Sequence, residues 1–75
     1  MRIEIVVRPV GNEWKVDGGA TGTLQSHGSS AAALRQAREV ARVAWVEGRQ
    51  PSTVKVLGPK GWTVDAYFGL EGLGD

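Results

Sequence analysis

The chain predicts an α+β fold of two layers: a β-β-α-β-β order in which a four-stranded, mainly antiparallel sheet carries one helix on one face. Three features predict it. Apolar residues alternate at every second position in four short runs. Between the second and third runs they recur instead at helical spacing, and each pair of runs encloses a turn rich in Gly, Asn or Pro. The 75 residues are too few to build two cores, so residues 1–69 are expected to form one compact domain and 70–75 a flexible tail.

The first strand is read from "RIEIVVRP", where Ile3, Ile5 and Val7 alternate with Glu4, Val6 and Arg8 before Pro9 ends the run. In "EWKVD" Trp14 and Val16 share one side, while Glu13, Lys15 and Asp17 take the other. "VGNE" between these runs supplies turn residues, so the two form a hairpin. Residues 18–30, "GGATGTLQSHGSS", read mainly as connector, with Thr23 to Gln25 able to lie extended and tuck Leu24 under the sheet edge.

From Ser30 onward Ala33, Leu34, Ala37, Val40, Ala41, Ala44 and Trp45 fall on one face of a helix. Ser29 or Ser30 is expected to cap its start and Gly48 to close its end in a left-handed conformation. After "EGRQPS", Val54 and Val56 in "TVKVL" and Trp62, Val64, Ala66 and Phe68 in "WTVDAYF" point inward on a second hairpin turned by "GPKG". The order expected for these four strands, numbered along the chain, is 2-1-3-4, antiparallel throughout, with one face left open.

Composition removes several functions. Cysteine is absent, so neither a disulfide framework nor a thiolate is available, and the core must come from packing that includes three tryptophans. Nine Lys and Arg against eight Asp and Glu leave a net charge of +1, well short of a polyanion-binding balance. Charges at Arg2, Glu4 and Arg8 interrupt the apolar N-terminus, which lacks the features of a signal peptide or membrane span, and a cytoplasmic address is expected.

"LRQAREVAR" carries the strongest local charge. At 100° per residue, Arg35, Arg38 and Arg42 share an arc of roughly 60°, opposite the alanine stripe, with Glu39 four residues after Arg35 as a compensating partner. They are expected to point into water, as the polar face of any helix lying on a sheet does. Trp45 lies at the edge of the apolar arc, where Arg38 could stack on it, and Val43 and Val46 extend an apolar patch there. Arg35, Arg38, Arg42, Trp45, Arg49 and Lys60 are therefore the candidate contact residues for a partner.

No catalytic, cofactor-binding or metal-ligating set is read. His27 in "SHGSS" has serines beside it, but neighbours in sequence rarely reach triad geometry, and a lone His without Cys or clustered carboxylates makes a poor zinc site. "DGGATGT" lacks the Gly-Lys-Ser/Thr ending of a phosphate loop and reads as a turn. Glu4, Glu13, Asp17 and Asp65 fall on the expected outer face of the sheet, where Arg8, Lys15 and Lys55 can pair with them across strands.

"VVRPVGNEWKV", a helix with "ALRQAREVA" and the closing "VKVLGPKGWTVDAYFG" together resemble a family of small bacterial proteins known as domain of unknown function 2188. The residues carrying the resemblance are Val6, Val7, Pro9, Trp14, Val16, Ala33, Ala37, Arg38, Ala41, Gly61, Tyr67 and Gly69. It implies a compact β-β-α-β-β domain and brings no activity. The function expected is non-enzymatic binding, to a protein partner or a second copy. The alternative is a weak nucleic-acid-binding module using the basic helix face, and a small-molecule substrate is not evident.

Overall fold

A computed structural model describes residues 3–18 and 23–69. Five strands and one helix follow in the order β1 (Ile3–Val10), β2 (Glu13–Gly18), β3 (Thr23–His27), α1 (Ser30–Gly48), β4 (Ser52–Gly58) and β5 (Gly61–Phe68). The sheet order is β3-β2-β1-β4-β5, with α1 on one face. The α+β class and the single covering helix agree with the sequence reading. The strand count and directions do not.

One additional strand accounts for both differences. The backbone of Thr23 to His27 forms a full edge strand antiparallel to β2, where a connector was expected. This adds a reversal before the helix, so the chain leaves α1 travelling in the direction of β1. Consequently β1 and β4 are neighbours, as expected, but they pair in parallel, from Ile3 opposite Ser52 to Val7 opposite Val56. The sheet is mixed. The side chain of Leu24, residues 19–22 and the 70–75 tail, all assigned roles from sequence, lie outside the described residues.

The first hairpin turns through Gly11 and Asn12 between the paired Val10 and Glu13. Gly11 at φ 62° occupies the first central position, the conformation whose twist suits a two-residue hairpin. The second hairpin turns through Pro59 and Lys60 between Gly58 and Gly61.

Small residues allow the two layers to approach. Ala33, Ala37 and Ala41, one turn apart on α1, are fully buried against Ile5, Val7, Val16 and Val54, which are also fully buried. Each of those four aliphatic side chains contributes on the order of 1.5–3 kcal/mol by leaving water. Trp14, Leu34, Val40, Val56, Ala66 and Phe68 pack around this centre. Ser52, buried among them, donates its hydroxyl to the Gln50 carbonyl at 2.9 Å.

Helix α1 begins as expected: Ser29 is extended at φ −144°, and its Oγ accepts the Ala32 amide at 3.2 Å. Its end differs. Arg49, at φ 53°, takes the left-handed conformation expected of Gly48, which remains helical. The amides of Arg49 and Gln50 reach the Trp45 and Ala44 carbonyls at 3.0 and 3.1 Å, satisfying two acceptors of the last turn.

Candidate functional site

The helix lies across the sheet with a different polar anchor on each flank. On one flank, Gln36 Oε1 lies 2.6 Å from His27 Nε2 at the end of β3. On the other, Arg38 donates from Nε to Asp65 Oδ2 at 2.7 Å and from Nη2 to Oδ1 at 2.9 Å. Gln36 and Arg38 are about 200° apart around the axis, so these contacts hold both margins of the sheet.

Asp65 was expected on the outer face. A β-bulge explains its position on the inner one. Val54 faces Ala66 while Lys55 faces Val64, leaving Asp65 as the extra residue of β5. One inserted residue reverses the alternation on one side of it. Ala66 and Phe68 retain their inward direction, Asp65 joins them to meet Arg38, and Trp62 and Val64 are turned outward. Trp62 and Val64, expected in the core, are each 53% exposed. Their spacing carried no sign of the bulge. The only hint was an isolated charge between apolar neighbours.

The basic helix face is correspondingly altered. Hydrogen bonds from Arg38 hold the Asp65 carboxyl below its ordinary range, opposed by its partial burial, and the same contacts raise the Arg38 guanidinium. Glu39 pairs with Arg42, three residues on, and not with Arg35 as expected. Its hydrogen bonds raise Arg42, while Glu39 itself is held low. Two of the three arginines thus have their charge engaged. Arg35 has no ion-pair partner among the described residues.

The remaining candidates do not converge on one patch. Trp45 is partly buried, and the cation over its ring is Arg49, at 5.5 Å from the centroid, and not Arg38. Val46 is exposed beside it and Val43 half-buried. Arg49 precedes the start of β4 and Lys60 follows its end, so the strand separates them by about 20 Å. His27 points to the helix side of the sheet while Ser26 is on the other, so they form no catalytic pair. Among the described residues no group of His, Asp and Glu is placed to hold a metal, and no helix is long and apolar enough to cross a membrane.

Away from the helix, the outer sheet face carries Glu4, Arg8, Glu13, Lys15, Asp17 and Lys55. Arg8 pairs with Asp17 and Lys55 with Glu4, each at 2.9 Å, realising the cross-strand pairing expected. Interleaved with these charges are Trp62, Val64 and Val10, the last 40% exposed, together with Val6 and Leu57; Lys55 stands between Val6 and Val64. Trp62 and Val64 thus stay in contact with water on the face that carries the Arg8–Asp17 and Lys55–Glu4 pairs. No family model, curated protein or solved structure matches the chain.

Proposed function

We propose that this chain is a non-enzymatic binding domain that self-associates through the outer face of its sheet. The observation that carries this reading is the exposure of Trp62 and Val64 on a face with no covering layer among the described residues. Among the described residues its three cations and three carboxylates sum to zero, so a second copy meets no net repulsion from them. The molecule measures 35 × 25 × 17 Å, and its broad face is on the scale of the about 800 Å² that each partner gives to a standard interface.

The same features favour protein over nucleic acid. A polyanion needs several free cations on one surface, whereas Arg38 and Arg42 are already bound to carboxylates. A cytoplasmic setting and membership of the domain of unknown function 2188 family are part of the proposal. The second rests on the residues of the two hairpins and the alanine stripe.

Sedimentation equilibrium over a range of protein concentrations tests the reading. The expected result is a dimer that Trp62→Lys and Val64→Lys each convert to monomer while far-UV circular dichroism is unchanged. A monomer at millimolar concentration, or a dimer that survives both substitutions, overturns it.

A further inference from the structure

A different surface offers a second site. Helix α1 turns back beside β3 after only Gly28 and Ser29, so it runs antiparallel to that strand. Between them lies an open cleft of about 440 Å³, lined by His27, Ala32, Arg35, Gln36, Glu39 and Val40. Ala32, Gln36 and Val40 form one stripe of the helix at successive turns. The cleft is therefore a groove along the helix, closed opposite by His27 at the end of β3.

We infer that this groove takes an extended acidic peptide segment, which adds to the free edge of β3 as a sixth strand and places a carboxylate on Arg35. Three observations carry the assignment. First, β3 stands at the end of the sheet order and pairs only with β2, leaving its outer backbone groups without a strand partner among the described residues. A strand edge beside a helix recognises extended chains through backbone hydrogen bonds, while the groove reads alternate side chains.

Second, the charges in the groove select the sign of the ligand. Glu39 is engaged by Arg42 through both carboxylate oxygens. Arg35 is exposed, and its guanidinium has no carboxylate partner among the described residues. A carboxylate reaching the groove from solvent meets a planar donor suited to two parallel hydrogen bonds. Third, Ala32 and Val40 supply apolar wall on either side of the Gln36–His27 contact. An open trough of this kind fits a chain lying along it better than a compact small molecule, which needs enclosure on most sides. This site is on the helix side of the sheet and does not depend on the self-association proposed above.

The test uses the full chain labelled with ¹⁵N and eight-residue peptides of alternating Val and Glu or alternating Val and Lys, titrated at low and moderate salt. The Val-Glu peptide is expected to shift the amides of β3 and of Ala32 to Val40, with binding weakened by salt. Arg35→Glu, a change at an exposed position, is expected to lower that affinity at least tenfold and to confer binding of the Val-Lys peptide. Unchanged thermal melting of the variant establishes that the fold is intact. The inference is overturned if no amide moves at millimolar peptide, if shifts fall only on the outer face around Val6, Trp62 and Val64, or if Arg35→Glu leaves the preference unaltered. It is equally overturned if a single-stranded oligonucleotide moves the same amides more strongly than the acidic peptide.

Discussion

Replacing Gly18 by Ala tests how closely β1 and β2 approach at the open end of their hairpin. Gly18 lies opposite Ile5 at φ 143°. A Cβ there would sit 2.7 Å from Ile5 Cα and nearer still to the Glu4 carbonyl oxygen, both backbone atoms that cannot swing aside. The dihedral alone costs a side-chain-bearing residue about 1–3 kcal/mol, and relieving the overlap by parting the strands adds roughly 1–3 kcal/mol, the usual cost of overpacking. Against a total stability of roughly 4–11 kcal/mol for a chain of this size, a loss of about 4 kcal/mol removes a large fraction. Gly11→Ala is the control, because its φ is also positive, at 62°, yet a Cβ there meets nothing within 4 Å. Its cost is confined to the dihedral, about 1–2 kcal/mol. Urea unfolding followed by tryptophan fluorescence should therefore place the Gly18→Ala midpoint well below that of Gly11→Ala, by about 2 M if the slope is near 1 kcal/mol/M. Equal midpoints for the two variants would refute the close approach.

Two further outcomes follow from the helix. Ser29→Ala removes the acceptor for the Ala32 amide and should cost about 1 kcal/mol, read as a melting temperature lower by about 4–8 °C. Asp65→Asn addresses the ion pair at the β5 edge. Because Asp65 is held below the ordinary carboxylate value in the fold, its contribution is complete above that ordinary value and is lost as pH falls through the lowered one. Denaturant titrations from neutral to acid pH should show a shallower loss of stability in Asp65→Asn than in the parent, and parallel curves would remove the pair from the account.

The two hairpins and the helix were legible because burial enforces periodicity: Ile5, Val7, Val16, Val54 and the three alanines had to repeat at two or at four residues to meet in one core. β3 was less legible, since Gly, Ser and Thr around Leu24 and Gln25 suit a loop and a sheet margin equally well. Omitting it inverted the direction of β4. The bulge at Asp65 was hidden for another reason: inserting a residue changes parity without disturbing the visible alternation of Trp62, Val64, Ala66 and Phe68. That single displacement produced the exposed Trp62 and gave Arg38 its partner. Sequence spacing placed the three arginines on one arc, but it could not say which acids would reach them, because Asp65 is distant in the chain and Glu39 can bond in either direction. Arg35 was recognised as a cation. The groove beside it was not, because it exists only once the end of β3 brings His27 against the helix.

The parallel seam between β1 and β4 has a kinetic corollary. Each hairpin can zip from its own turn, but the seam joins Ile3 to Ser52 and Val7 to Val56, so most of the polypeptide must be gathered before its first rung forms. Loop-closure entropy opposes that step. The middle of the sheet is thus expected to assemble after its flanks, and refolding should be slower than the size of the chain alone would suggest.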